Sequence, residues 1–444
     1  TVDRYTDDIH YKGGCLLNEN LGWGATMLSY SSRPPDPLIV GKKWKKMWLE
    51  RLKNQPHLSD IWLKHQKRDK YWKHGSVCED YSKLETPILA IGGWGDAYKN
   101  AVPELVKNAK AKGIIGPWVH KYPHFAVPKP QIGFLQEAIR WWDRWLKGID
   151  NGCETDPNYR VYVMKGEPPK SSYNFRDGYW IKEDRWPSQA SKNKKLFLNS
   201  NNVLSLSNKK NKCQLGVIDS PQHCGLKGGE YCAIWLGPEL PGDQRLDDAF
   251  SLCFDTKALS LEEDIVGSPE LTITLEANSR NGQLAVRLCD VFPDGKSSRI
   301  TYGILNLRFR ESLDSPKNIV LGKEFTVKIK LDHIAYKLPK GNKLRLSLSN
   351  AYWPLVLPVN NPAKLVVKEG YLSLPLRHSA RSDEWVFPES VASKPWQGKE
   401  IRTPRNKRQV LFDEATDEVS LDIEDDFGSY KDLQNNLVIS STAR

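Results

Sequence analysis

The sequence predicts two differently built parts, an α/β unit over residues 1–150 and an antiparallel β-sandwich over residues 196–430. The first part alternates short apolar runs that end in glycine with helical patterns, as parallel strands and their crossover helices do. The second part is dominated by strands of period two with turn residues between them, which is typical of a sandwich. Residues 151–195, rich in Pro, Lys and Asn, are expected to be a connector with short strands, and residues 431–444 a loose tail.

The first helical signal in the α/β part lies in a lysine-rich segment. Apolar residues from Trp44 to Leu52 recur at helical spacing, and lysines fill the other faces. Residues 61–72 repeat the pattern. We therefore expect amphipathic helices with a solvated basic face over about residues 40–80.

Two apolar runs then predict neighbouring parallel strands. Residues 87–96 form a continuous apolar run that ends in glycines, and residues 113–120 repeat this form after a helix over about residues 102–111. A strong helix follows over residues 134–146, with Gly148 at its end. The order strand, helix, strand, helix predicts an α/β unit with a right-handed crossover.

The second half is predicted from alternation of apolar and polar residues. Turn signals such as Pro293-Asp294-Gly295 separate the runs. These patterns predict an all-β sandwich of the jelly-roll type. The clearest strands are expected at residues 271–275, 284–288, 305–309, 325–331 and 344–348.

Composition excludes several classes of protein. The 444 residues are 39% hydrophobic and include 16 Trp, enough apolar surface for folded cores, so wholesale disorder is excluded. No apolar run is long enough to span a bilayer, and we expect no membrane partner. The net charge of +11 is best explained by a Lys-rich surface, because no nucleic-acid-binding motif accompanies it. We expect no nucleic-acid partner.

The eight cysteines indicate buried thiols, since they are widely spread and form no CxxC pair. A cytoplasmic location follows as the expectation. We also expect no metal and no cofactor, because the two groups that resemble metal ligands have the spacing of no common site. These groups are Cys213, His223, Cys224 and Cys232, and Asp7, Asp8 and His10.

Two polar side chains follow the two predicted parallel strands. Asp96 comes just after the first strand and His120 just after the second, and functional side chains of open α/β sheets lie beyond the carboxyl ends of strands. A carboxylate can hold an imidazole in one tautomer, while the imidazole accepts and returns the proton of a nucleophile. Taken alone, the pair is better explained as a turn residue and an ordinary hydrogen-bonded histidine than as a catalytic pair.

The motifs around this pair resemble a known family. Residues 86–102, 112–124 and 134–148 closely resemble the CocE/NonD serine hydrolases, the family of cocaine esterase and X-prolyl dipeptidyl-peptidases. Residues 287–310 and 338–354 resemble the C-terminal jelly-roll domain of that family, which is of the galactose-binding-like type. The resemblance implies the C-terminal portion of an α/β-hydrolase domain with a helical cap, followed by that β domain.

The resemblance implies that Asp96 and His120 complete a Ser-Asp-His triad. The family's serine lies in a G-x-S-x-G turn, and no such sequence occurs here; Ser29 has neither flanking glycine. We therefore expect the nucleophile to lie upstream of this chain, and the chain alone to be inactive and prone to aggregation. The expected partner is a small-molecule ester or peptide, and a homodimer remains open.

Four aromatic residues are candidates for the substrate pocket. Trp94 and Trp118 flank the two triad positions, and Tyr352 and Trp353 form an aromatic pair in the β part. Core packing is an equally good explanation for each of them. A second hypothesis is non-enzymatic: the jelly roll binds carbohydrate or protein, with the aromatic pair stacking on a sugar, and the hydrolase remnant is degenerate.

Overall fold

The computed structural model describes residues 9–209, 214–234, 237–378, 380–391, 398–434 and 436–443. No helix among these residues is long and apolar enough to cross a bilayer. The α-helices of the described residues are α1 (Glu19–Ser31), α2 (Pro37–Val40), α3 (Trp44–Asn54), α4 (Leu58–Leu63), α5 (Lys70–His74), α6 (Ala101–Asn108), α7 (Phe134–Lys147) and α8 (Arg245–Ala249).

A short sheet carries the first part of the chain. Its strands are β1 (Leu89–Gly93), β2 (Lys112–Gly116), β3 (Tyr159–Lys165) and β4 (Gly178–Glu183). The first three are parallel neighbours in that order, and β4 runs antiparallel to β3. The connection between β1 and β2 is α6, whose Leu105 and Val106 are buried in the core. The predicted strand–helix–strand unit is therefore present, and it ends in α7, where Gly148 takes the left-handed conformation expected of a helix-ending glycine.

A larger, mostly antiparallel assembly of strands follows. The period-two pattern predicts β10 well, because Leu271, Ile273 and Leu275 are all fully buried. The strands of this assembly are β5 (Ser191–Asn199), β6 (Val203–Ser205), β7 (Gly216–Ile218), β8 (Leu252–Asp255), β9 (Glu263–Gly267), β10 (Glu270–Ala277), β11 (Gln283–Val291), β12 (Ser297–Asn306), β13 (Phe325–Lys330), β14 (Ile334–Leu338), β15 (Lys343–Ser349) and β16 (Leu365–Arg377).

The two parts share strand β3, which the sequence placed in a connector. The first residues of β3 pair with β2, and its last residues, Met164 and Lys165, pair with Tyr336 and Lys337 of β14. The strand order therefore runs without a break from β1 through β2, β3 and β14 into the antiparallel assembly. Residues 151–195 thus contribute β3, β4 and the start of β5 to the sheet.

The end of the chain also differs from its expectation. A separate four-stranded sheet contains β17 (Gly398–Arg402), β18 (Arg405–Asp413), β19 (Glu418–Asp432) and β20 (Val438–Ala443). The predicted tail over 431–444 thus contains a strand, β20, which pairs antiparallel to β19. The β-branched residues of this stretch favour a strand once an edge is available to pair with.

Two local predictions fail because side chains and turns end the elements early. The strand predicted through residue 309 ends at Asn306, whose side chain accepts a hydrogen bond from the Arg308 backbone at 3.1 Å and starts a 3-10 turn. The single helix predicted over residues 61–72 is two helices, and Asp69 caps the second by accepting from the Tyr71 backbone at 3.0 Å.

Two helices keep their apolar faces exposed. Helix α3 buries none of its residues, although Trp44 and Trp48 stack on each other at 6.1 Å. Helix α7 buries Trp141 but leaves Trp142 54% and Leu146 74% exposed. Trp48 of α3 donates through Nε1–H to the Ser32 backbone at 2.7 Å, so these faces are covered only in part.

Candidate active site

Asp96 is positioned by the turn that follows β1. The strands β1 and β2 pair Gly93 with Gly116, so both chains leave the sheet at the same level. A Cβ on Gly93 would lie 2.1 Å from the backbone oxygen of Trp118, which shows how closely the two turns approach. The Gly95 backbone donates to that same oxygen at 2.9 Å, which holds the turns together.

The side chains of Asp96 and His120 meet above these turns. Nδ1–H of His120 donates to Oδ2 of Asp96 at 3.0 Å, and the other carboxylate oxygen accepts from the Tyr98 backbone at 3.1 Å. The Asp96 side chain is 11% exposed and the His120 side chain 49% exposed. A buried, oriented carboxylate thus fixes the imidazole tautomer and leaves Nε2 as the accepting nitrogen.

The electrostatic surroundings favour the protonated imidazole. The hydrogen bond to Asp96 raises the pKa of His120, burial opposes it, and the charges of Asp96 and Glu19 add to the increase. Burial in turn raises the pKa of Glu19 to about 7, against the lowering effect of His120. Glu19, the first residue of α1, is therefore a second acidic group at this site, and sequence spacing gave no sign of it.

Cys232 is a further neighbour that sequence reasoning placed elsewhere. Its sulfur, one oxygen of Asp96 and one nitrogen of His120 all lie within 4.8 Å of one another. Burial raises the pKa of the Cys232 thiol, and the charges of Asp96 and Glu19 raise it further. The thiol is therefore neutral and a poor nucleophile.

Among the described residues, neither of the two groups that resemble metal ligands forms a cluster of three such side chains. Cys224 contacts the Asp247 backbone oxygen at 3.7 Å, apart from Cys232, and Cys213 lies outside the described residues. Asp7 and Asp8 also lie outside the described residues. Their neighbour His10 is buried and pairs through Nδ1 with Asn20 at 2.8 Å, and burial lowers its pKa to about 4. These are the contacts of a packed core histidine.

Three of the four pocket candidates are buried. Trp94 is 4% exposed and donates through Nε1–H to the Tyr162 backbone at 2.8 Å, while Trp118 is fully buried and donates to the Pro130 backbone at 2.7 Å. Tyr352 is 1% exposed and lies 5.7 Å from the Tyr302 ring, and Trp353 is half-buried. Of these residues, Trp94 also lines an internal cavity next to the Asp96 turn.

No described hydroxyl or thiol forms a hydrogen bond with the His120 imidazole. Ser29 lies exposed in α1. Among the described residues, the polar contact of the imidazole is thus the hydrogen bond from Nδ1 to Asp96.

The fold combines a parallel sheet with a large β domain, and the comparisons with known proteins place this chain in a family of hydrolases. The chain belongs, more closely, to the family of X-Pro dipeptidyl-peptidase and CocE/NonD hydrolases. Residues 1–122 match the model of the X-Pro dipeptidyl-peptidase S15 family. Residues 151–382 match the model of the X-Pro dipeptidyl-peptidase C-terminal non-catalytic domain.

Individual relatives agree with this assignment. Cocaine esterase of Rhodococcus sp. strain MB1 Bresler is 22% identical over 340 residues, which cover 71% of this chain and 57% of the relative. A putative Xaa-Pro dipeptidyl-peptidase of Bacillus cereus is 23% identical over 315 residues, 69% of this chain and 49% of the relative. The chain thus spans about half the length of the curated relatives it matches.

A solved structure shows the same fold. The CocE/NonD family hydrolase of Staphylococcus aureus superposes with a TM-score of 0.60 at 13% identity, covering 85% of this chain and 66% of that one. At this identity the similarity concerns the fold alone.

Proposed function

We propose that this chain carries the aspartate and the histidine of a Ser-Asp-His triad in a serine hydrolase of esters or peptides. The observation that carries the proposal is the 3.0 Å hydrogen bond between buried Asp96 and half-exposed His120 beyond adjacent parallel strands. The family supports the same reaction class, since the relatives are named as an esterase and as dipeptidyl-peptidases.

In the proposed mechanism His120 acts first as base and then as acid. Nε2 accepts the proton of a serine hydroxyl as its oxygen attacks the acyl carbon, and Asp96 stabilises the resulting imidazolium. The imidazolium then gives that proton to the leaving group. The leaving group is an alcohol in the esterase form of the reaction and an amine in the X-Pro dipeptidyl-peptidase form.

We place the serine outside these 444 residues. Among the described residues, no hydroxyl or thiol forms a hydrogen bond with the His120 imidazole, and burial keeps the nearby Cys232 thiol neutral. On its side away from β2, strand β1 pairs with no described strand. A further segment that pairs with this edge is well placed to bring the nucleophile to His120.

A serine-directed phosphonate tests this arrangement. A protein extended upstream to include a G-x-S-x-G turn should be labelled, and the 444-residue chain should not. The extended protein with His120→Ala should react far more slowly, since its serine lacks a base. Stoichiometric labelling of the 444-residue chain would contradict the proposal.

We also propose the finer fold assignments that follow from the family. The strands β5 to β16 form a jelly-roll sandwich of the galactose-binding-like type, and helices α2 to α5 form the cap that shapes substrate access. The non-enzymatic hypothesis is less well supported, because Tyr352 is 1% exposed and its hydroxyl is bonded to Arg299. It cannot stack on a sugar from solvent.

A further inference from the structure

A cavity of about 100 Å³ lies where the two parts of the chain meet. On one side, the wall is formed by Trp94 and Gly95 of the turn that leads to Asp96. On another side, it is formed by Arg299 and Tyr302 of strand β12, in the antiparallel assembly. A water molecule needs only about 10–15 Å³ measured in this way, so the cavity has room for a group of several heavy atoms.

Two cations in this wall share little acidic charge, because Lys99 pairs with Asp332, which also pairs with Lys12, and Arg299 has no acidic partner among the described residues. Arg299 donates to the Tyr352 hydroxyl and lies 4.5 Å from the centroid of the Tyr302 ring, and no described carboxylate lies within 4.0 Å of it. The Lys99 side chain is 13% exposed, and its amine lies 5.8 Å from the centroid of the same ring. The two cations therefore lie close to one aromatic side chain.

The nearest carboxylate is already engaged. Asp332 accepts a hydrogen bond from Lys12 at 2.5 Å and another from Asn100 at 2.8 Å, and it lies 3.6 Å from Lys99, too far for a hydrogen bond. Burial alone would raise the pKa of Asp332, but Lys12 and Lys99 lower it to about 2. Asp332 is therefore ionised, and one of its oxygens, Oδ2, has no hydrogen-bond partner.

The other charges in the wall have partners of their own. Arg176 pairs with Glu167 at 3.3 Å, and Glu230 pairs with Arg408. Three cations, Lys12, Lys99 and Arg299, thus lie around one carboxylate, Asp332, and this leaves an excess of positive charge beside the cavity. Buried charge without compensation is costly, and a bound counter-ion is the usual way in which proteins offset it.

We infer that this cavity binds a small oxyanion, of the phosphate or carboxylate type, between Lys99 and Arg299. Guanidinium groups match the oxygens of such anions in geometry, and an ammonium adds a point charge. The site lies between the Asp96 turn and the β domain, so the anion would stabilise the junction that holds the catalytic carboxylate. Because the site is separate from the reacting atoms, the inference does not depend on the proposed reaction.

Thermal unfolding of the upstream-extended protein tests the inference. At constant ionic strength, inorganic phosphate or acetate should raise Tm by a few degrees in a saturable way. The rise should be lost in Arg299→Gln and Lys99→Gln and kept in Lys42→Gln, which removes the same charge from an exposed position. A response to phosphate alone would identify a tetrahedral ligand, and one to acetate alone a carboxylate.

A second comparison separates binding from a purely structural role of Arg299. Without added anion, Arg299→Gln should be at least as stable as the unsubstituted protein, because it removes an uncompensated charge. In saturating phosphate the order should reverse. The inference is wrong if the unsubstituted extended protein shows no response, which would mean that another group of the protein fills the site. It is also wrong if Arg299→Gln loses the same stability with and without phosphate.

Discussion

At the scale of single residues, the proposed mechanism makes His120 the base and Asp96 the residue that orients it. In the extended protein we expect His120→Ala to lower kcat for ester hydrolysis by about 10⁴-fold, and Asp96→Asn to cause a large loss by allowing the wrong tautomer. Steady-state assays against an activated ester measure both effects. His378→Ala, an exposed histidine of the β part, is the matched control and should leave kcat unchanged. Full activity of His120→Ala would remove this residue from the mechanism.

The pH dependence of the reaction gives Glu19 a measurable role. His120 must be neutral to accept a proton, and its pKa is raised, so the rate should fall as pH drops through a value above 6.5. Glu19→Gln removes a negative charge that favours the imidazolium. The acid limb of kcat/KM should therefore move to lower pH, by on the order of half a unit.

The control for this shift is Glu50→Gln, an exposed carboxylate on α3. It should leave the acid limb unchanged. An unchanged limb in Glu19→Gln as well would show that the Glu19 charge does not reach the imidazole.

Among single residues, the sequence predicts the side chains whose position follows from the order of the strands. The proximity of Asp96 and His120 is predictable, because each residue follows a strand and adjacent parallel strands end at the same edge of the sheet. Glu19 and Cys232 are missed because neither lies in a recognisable pattern beside a strand end, and only the tertiary fold brings them to the imidazole. Buried Trp118 and Tyr352 show the same limit, since an aromatic next to a motif has no sequence signal that separates pocket from core.

At the scale of elements, the approach of the two turns after β1 and β2 depends on a glycine. We expect Gly93→Ala to destabilise the extended protein by about 2 kcal/mol, because its Cβ would lie 2.1 Å from the Trp118 backbone oxygen. The urea midpoint measures this loss. Gly22→Ala, in α1 with no atom within 4 Å of the new Cβ, should be neutral or stabilising. Equal effects of the two variants would contradict the proposed crowding.

The same scale shows why some elements are predicted well and others poorly. Strand β10 has one fully buried face, so its alternation is clean, and α7 carries both a strong apolar pattern and its terminal glycine. The sequence does not predict that β3 and β4 belong to the sheet. Their residues are surrounded by Pro, Lys and Asn, and their pairing partners are distant in sequence. Helix α3 is predicted from its spacing, although none of its residues is fully buried.

At the scale of the whole molecule, the uncovered face of α7 predicts self-association of the 444-residue chain. Leu146 is 74% exposed beside Trp142 and Ile139, which together form an apolar patch at an open edge of the fold. We expect Leu146→Glu to reduce the associated fraction measured by light scattering after size exclusion. Leu261→Glu is the matched control, since Leu261 is 71% exposed but lies in a loop of the β part. Equal association of both variants would place the contact elsewhere.

Strand β3 has a consequence for how this family can be recombined. The matched non-catalytic domain begins at residue 151, yet it includes β3 and β4, which extend the sheet that holds Asp96 and His120. Strand β3 pairs with β2 along its first residues and with β14 along its last residues. It therefore joins the two parts of the chain. A chimera joined at residue 150 would therefore take β3 and β4, together with the β domain, from the other parent protein. The sheet that contains β1 and β2 would then be formed by strands from both parents. In such a chimera, the unit that is exchanged is the β domain together with strand β3.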